Sequence, residues 1–298
     1  MKLNLQGINI AVLGGDKREV EMIKALIALG AVVKVVGNPV PGQDLDVQVV
    51  SNLQEAILGT QVIIAPMTGT DDAGKIKSTF VSQPLIISEE ILSQIPPRTL
   101  FFIGLAKEDL KKLAKKYKIK LFEMATMDEI AILNAIPTAE GAIQIAMEKL
   151  PITIHGSKII ILGFGRVGMT LSRMLHGIGA KTTAVAQKIG ELARAKEMGL
   201  EVLALAELQQ GIAEAQIIFN TIPAKILTRE VLRNANPEVL IIDLASQPGG
   251  TDFVAAEELG LQAMLAPGLP GKVAPKTAGQ ILGDIIPQVI RTNLKLKK

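Results

Sequence analysis

The sequence predicts an α/β chain of two doubly wound parallel-sheet domains, and three observations carry that prediction. Apolar runs of strand length recur along the 298 residues, separated by segments whose apolar residues repeat at helical spacing. Glycine-rich turns follow two of these runs directly, at Gly14-Gly15 and at Gly163-x-Gly165-x-x-Gly168. Between the two series lies a long helical stretch, Met127 to Leu150, that reads as a bridge leaving the first domain.

The first domain, residues 1–140, opens on a strand at Ile8 to Leu13, the turn Gly14-Gly15-Asp16, and a helix at Arg18 to Leu29 whose Val20, Ile23 and Ile27 form an apolar face. Strands follow at Val32 to Val36, Val47 to Val50, Val62 to Ala65, Pro84 to Ser88, Thr99 to Ile103 and Lys118 to Phe122, with a helix at Glu108 to Tyr117. This first turn lacks the full glycine triplet, and Asp16 would repel a pyrophosphate, so the domain is not expected to hold a dinucleotide. Pro137 predicts a kink or restart within the bridge helix, with Thr138 as the new cap.

The second domain, residues 141–276, starts its strands near Lys158, Lys181, Glu201, Gln216, Val239 and Gln262. The run from Ile159 to Leu162 meets the glycine triplet, and Leu171, Met174, Leu175 and Ile178 then form the stripe of a helix. This is the strand-turn-helix setting of a Rossmann dinucleotide site. Gly163 allows the tight turn, Gly165 admits a pyrophosphate close to the backbone, Gly168 lets helix and strand touch, and N–H groups at the helix start attract phosphate. Gly163, Phe164, Gly165, Arg166, Val167 and Gly168 are therefore assigned to the cofactor; the competing reading is a plain tight turn. The next strand ends Ala186-Gln187-Lys188, where a carboxylate would grip a free ribose 2′-hydroxyl. Its absence favours NADP, with Gln187, Lys188 and Arg194 toward the 2′-phosphate; otherwise these are ordinary surface charges and the pocket takes either cofactor.

Ligands in open parallel sheets bind beyond the carboxyl ends of the strands. Asn220, Thr221 and Pro223, with Ala245 and Pro267 on later strand ends, are placed beside the nicotinamide half of the cofactor. Thr68, Gly69 and Thr70 join Asp16 and Arg18 as substrate-binding candidates, Arg18 contacting a carboxylate and Asp16 orienting it or capping the helix. An exposed cap with two surface cations explains the same spacing. Ala266 to Gly279 holds three prolines and three glycines, and Pro275 sets Lys276 and Thr277 at a helix start that attracts anions. Lys276, Thr277 and Asp243 are the catalytic candidates, Lys276 also binding substrate from the second domain; a rigid turn into a helix with a solvated lysine is the alternative. A last helix, Thr277 to Leu294 within residues 277–298, is expected to return to the first domain and close a cleft.

Composition narrows the rest. The net charge is only +3, the chain is 48% hydrophobic, and basic residues are scattered apart from Lys295, Lys297 and Lys298, so no nucleic-acid surface is expected. No apolar run reaches membrane length and Met1-Lys2-Leu3-Asn4 lacks a signal-peptide core, which predicts a soluble cytoplasmic protein. There is no cysteine, and of the two histidines His155 falls on a turn and His176 inside the cofactor helix, so neither a metal centre nor a serine-histidine hydrolase is expected. Acid-base chemistry would fall mostly to Asp, Glu, Lys or the lone Tyr117.

Several longer blocks resemble the family of the dipicolinate synthase A-subunit: Gly14-Gly15-Asp16 with Arg18, Asn134-x-Ile136-Pro137-Thr138-x-Glu140-Gly141, the triplet extended by Met169-Thr170, Asn220-Thr221-Ile222-Pro223, Asp243 to Phe253, and Ala266 to Gly271 running on to Gly279. The resemblance covers nearly the whole chain. It implies NADP-dependent oxidation of a tetrahydrodipicolinate-type diacid from the lysine pathway to dipicolinate during sporulation, and it implies a partner, the flavoprotein-like B-subunit of dipicolinate synthase. Self-association is left open. Two other readings remain: a different two-domain NAD(P) dehydrogenase of small carboxylic acids, of the hydroxyacid or methylene-tetrahydrofolate kind, for which neither histidine suits as base, or a nucleotide-sensing module without catalysis.

Overall fold

The computed structural model describes residues 3–38, 45–78 and 84–296; the terminal Lys297 and Lys298 lie outside them. The chain folds as two compact units, Met1–Asn134 with Ala274–Lys298, and Ala135–Val273.

Unit 1 runs β1 (Asn9–Leu13), α1 (Lys17–Ala28), β2 (Val32–Val36), β3 (Val47–Val49), α2 (Leu53–Ile57), β4 (Val62–Ile64), a small hairpin of β5 (Lys75–Ile76) and β6 (Leu85–Ile86), α3 (Glu89–Ser93), β7 (Leu100–Ile103), α4 (Glu108–Lys116) and β8 (Lys120–Glu123). Its sheet is parallel, in the order β3-β2-β1-β4-β7-β8. Strand order reverses between β1 and β4, the switch point of a doubly wound sheet. Both faces are covered: Ile10 and Val12 enter one core while Ala11 and Leu13 enter the other, which is why the strands read as continuous apolar runs. The strand expected at Pro84 to Ser88 is shorter and lies outside this sheet, pairing antiparallel with β5. Ser88 ends it, because its hydroxyl accepts the Ile91 N–H as the cap of α3.

The bridge is one helix, α5 (Asp128–Lys149), and the break expected at Pro137 with a cap at Thr138 does not occur. Proline removes one hydrogen bond from a helix, and here packing on both sides of it outweighs that loss. Ile130 is buried in unit 1, and Ala139, Ala142, Ile143 and Ala146 are buried in unit 2. α5 is also long and apolar enough to cross a membrane by length and composition, contrary to the expectation from sequence; part of its apolar surface is buried in these cores, while Ile132, Leu133, Ile136 and Met147 are exposed.

Unit 2 repeats the plan: β9 (Lys158–Leu162), α6 (Arg166–Gly177), β10 (Lys181–Ala186), α7 (Ile189–Glu197), β11 (Glu201–Ala204), α8 (Leu208–Gly211), β12 (Ile217–Asn220), α9 (Arg229–Leu232), β13 (Leu240–Asp243), α10 (Phe253–Glu258), β14 (Gln262–Leu265) and α11 (Leu269–Val273). The sheet is parallel in the order β11-β10-β9-β12-β13-β14, with its switch point between β9 and β12. α11 is a short helix inside the Pro- and Gly-rich loop.

The last helix, α12 (Pro275–Leu294), belongs to unit 1 and packs along α1. The contact needs glycine: a Cβ at Gly279 would lie 2.3 Å from the Arg18 carbonyl oxygen, and one at Gly283 would lie 2.7 Å from the Ala25 Cβ.

Candidate functional site

The turn after β9 is built for a dinucleotide. A Cβ on Gly168 would lie 2.0 Å from the Gly163 carbonyl oxygen, so only glycine lets α6 start this close to β9. Gly163 has φ +92°, and its Cα faces the Thr221 hydroxyl of the neighbouring strand end. That hydroxyl donates to the Leu162 carbonyl at 2.8 Å, joining the ends of β9 and β12 at the switch point. Above Gly165 the space is open: a Cβ there would meet no atom within 4 Å. Gly165 is the N-cap of α6 and no side chain caps the helix, so the first turn presents backbone N–H groups to a ligand. An open, uncapped cradle fits a pyrophosphate.

Phe164 does not fit its assignment: it is buried with Ala184, Ala186, Ala195 and Leu200, and only its backbone faces the turn. At the far end of the cradle β10 stops at Ala186, and Gln187 and Lys188 are exposed. Lys188 Nζ lies 3.5 Å from Glu191, and Arg194 pairs with Glu197 at 3.0 Å. Such surface pairs are worth little and leave both cations free to turn to a phosphate.

The structure gives Asp243 a different task from the catalytic one expected. The residue is fully buried and its carboxylate is saturated. Oδ1 accepts from Asn220 Nδ2 and the Ala245 N–H, both at 3.0 Å; Oδ2 accepts from the Gly250 N–H at 2.8 Å and the Thr251 hydroxyl at 2.6 Å. It fixes the loop after its own strand against the loop after β12. Asn220, also fully buried, spends its amide on Asp243 and on both backbone groups of Ile222. Its side chain and Ala245 are buried, whereas Pro223 and Pro267 are exposed and Thr221 is half-buried.

Unit 1 carries a second cluster at its own switch point. Asp16 caps α1, accepting the Arg18 N–H at 3.1 Å, while both its oxygens accept the Arg18 guanidinium at 3.0 Å. Lys77 Nζ stands 3.8 Å from the same carboxylate. Burial pushes Asp16 up, but hydrogen bonds and charge from Arg18, with Lys77 beyond, outweigh it and hold the carboxyl below its usual range. Glu19 completes a capping box by accepting the Asp16 N–H at 2.7 Å. Burial, with the Asp16 charge adding to it, pushes the Glu19 carboxyl up against the pull of Arg18. Sequence reasoning missed Glu19, although Asp16-x-x-Glu19 is a capping-box pattern.

Of the other candidates, Thr68 is exposed, Thr70 half-buried, and Gly69 pressed against Leu105, whose carbonyl oxygen would be 2.4 Å from a Cβ there. Lys276 and Thr277 are exposed in the uncapped first turn of α12. The expectation that Lys276 stands on the second domain is corrected: Ala274 onward belongs to unit 1, because α12 packs on α1. Arg18 and Lys276 thus share one unit. Among the described residues no group of His, Asp and Glu is placed to hold a metal ion.

Two doubly wound units, one with an uncapped glycine cradle at its switch point, define a dehydrogenase-type α/β protein. Residues 134–246 match the D-isomer specific 2-hydroxyacid dehydrogenase NAD binding domain, so the chain is an NAD(P)-dependent oxidoreductase. Residues 9–125 match the N-terminal domain of the dipicolinate synthase A-subunit. Over 288 residues the chain is 40% identical to the dipicolinate synthase A-subunit of Bacillus subtilis (strain 168), covering 96% of this chain and 97% of the relative. It superposes on the crystal structure of dipicolinate synthase, A chain, from Bacillus subtilis with TM-score 0.92 at 38% identity, covering 99% of both chains. The A-subunit structure from Bacillus halodurans matches equally, with TM-score 0.92, 36% identity, and 96% and 99% of the two chains covered. The chain belongs to the dipicolinate synthase A-subunit family, as its sequence blocks led us to expect.

Proposed function

We propose that this protein oxidises a dihydro- or hydroxytetrahydrodipicolinate intermediate of the lysine pathway to dipicolinate, with NADP as hydride acceptor, in the cytoplasm of a sporulating cell. The observation that carries the reading is that Arg18, its guanidinium held by Asp16, and the uncapped α12 start at Lys276 lie in one unit on two helices packed together, two cations for a substrate with two carboxylates. Thr68 and Thr70, on the loop after β4 of the same unit, add hydroxyls to this reading. Lys276 and Thr277 orient the ring in this reading; Asp243, its carboxylate engaged in four hydrogen bonds, holds the strand-end loops of unit 2.

When bound, the nicotinamide would accept one hydride while the second hydrogen leaves the ring as a proton; the hydroxytetrahydro form must in addition lose its hydroxyl as water. Aromatisation drives that loss, so the protein's part is to hold the diacid in register rather than to force a difficult bond. This suits a chain with two histidines and no cysteine. Support for NADP over NAD comes from the end of β10, where Gln187 and Lys188 stand in place of a carboxylate. The relatives are A-subunits, which extends the reading to a partner B-subunit, flavoprotein-like as the resemblance in sequence implies.

The test is to incubate the protein with NADP or NAD and a dipicolinate precursor, with and without that partner, and follow reduced-cofactor absorbance. The reading expects reduction that depends on the diacid and is faster with NADP. Reduction by a monocarboxylic hydroxyacid instead, with none from the diacid, would overturn it.

A further inference from the structure

Glu19 is only 1% exposed and lies between two strand-end loops of unit 1. Its Oε2 accepts the Asp16 N–H at 2.7 Å and its Oε1 accepts the Met67 N–H at 3.2 Å, so one carboxylate ties the turn after β1 to the loop after β4. The surroundings are shaped to this tie. A Cβ on Gly15 would lie 2.7 Å from the Glu19 carboxyl, and the loop that carries Met67 is itself held closely, since a Cβ on Gly69 would meet the Leu105 carbonyl oxygen at 2.4 Å. A buried carboxylate is costly unless its oxygens are hydrogen-bonded, and both are used here on backbone donors from separate segments.

We infer that Glu19 is a positioning residue for the diacid site: its carboxylate clamps the Met67 loop to the Asp16 turn, so that Thr68, Thr70 and Arg18 meet the substrate as one surface. The inference rests on the substrate reading above and adds a residue that touches no ligand. A carboxylate is required because both N–H groups need an acceptor. An amide supplies one and turns its NH₂ against the other.

The experiment compares Glu19→Gln with the unmodified protein by amide hydrogen exchange and by steady-state kinetics, using dipicolinate as the binding probe. Exchange at Met67 or Asp16 should rise about tenfold or more with that of Val62 to Ile64 unchanged, and the KM for the diacid should rise about tenfold at near-constant kcat and NADP affinity. Glu19→Asp, which keeps the charge but reaches only one donor, should fall between. A folded Glu19→Gln protein with an unchanged diacid KM, or one losing NADP affinity equally, would overturn the inference. So would failure of both variants to fold, which would make Glu19 a requirement of the fold. If the unmodified protein does not bind dipicolinate, the substrate reading fails, and the clamp is then judged by exchange alone.

Discussion

The two switch points of this chain have the same topology and opposite chemistry. In unit 2 the turn after β9 is open at the helix start: Gly165 caps α6 without a side-chain bond, and a Cβ there would meet nothing within 4 Å. In unit 1 the turn after β1 is filled from within, with Asp16 capping α1 and the Glu19 carboxyl against Gly15. A helix start attracts an anion, and unit 1 satisfies that attraction with its own carboxylates. One fold thus gives a dinucleotide cradle where glycine keeps the anion site vacant, and a closed helix start where an internal carboxylate occupies that site and holds the Arg18 guanidinium as well.

The sharpest way to break the comparison is to remove the frame of the open site. Asp243→Ala would leave two buried N–H groups, the Asn220 amide and the Thr251 hydroxyl without their acceptor, and should cost about 4 kcal/mol of stability with activity falling in parallel. Thermal melts and turnover together check it: Asp243→Asn with full stability and no turnover would return Asp243 to the chemistry. Next is Gly168→Ala, whose Cβ would press on the Gly163 carbonyl. It should cost about 3 kcal/mol and abolish cofactor binding, read by denaturant unfolding and NADP titration.

The sequence made most of the open switch point legible and little of the filled one. The glycine triplet has few physical readings once it follows an apolar strand and precedes a helical stripe, and each glycine stands where its role requires. The surroundings of Phe164 and Asp243 were not legible because position in a motif does not reveal burial: one side chain lies in a core, and the other is saturated by residues from two to 23 positions away. Pro137 failed as a helix stop because packing of Ala139, Ala142 and Ala146 is a tertiary effect invisible to local rules. Lys276 was placed in the second domain because the boundary was drawn after it, whereas the helix that returns to unit 1 already starts at Pro275 and unit 2 ends at Val273.

On the substrate side, Arg18→Met and Lys276→Met should each weaken diacid use by about ten- to a hundredfold with NADP affinity nearly unchanged, since a charge-assisted contact is worth about 1.5 to 3 kcal/mol. Steady-state kinetics decides it; unchanged rate and KM in both variants would place the diacid elsewhere. The smallest effect is expected at the ribose. Ala186→Asp should shift preference from NADP toward NAD by about tenfold, through one charge beside the 2′-position. Equal binding of NAD and NADP by the unmodified protein would remove the ground for that change.

The contrast between the two turns is tested most directly by calorimetric titration of NADP into the unmodified protein and into Gly165→Val. The account predicts one site per chain in the first, and in the second a protein that melts normally yet binds no NADP, because the branched side chain enters the open space above Gly165 and touches nothing else. A second site in the unmodified protein, or a single site that survives in Gly165→Val, would contradict it.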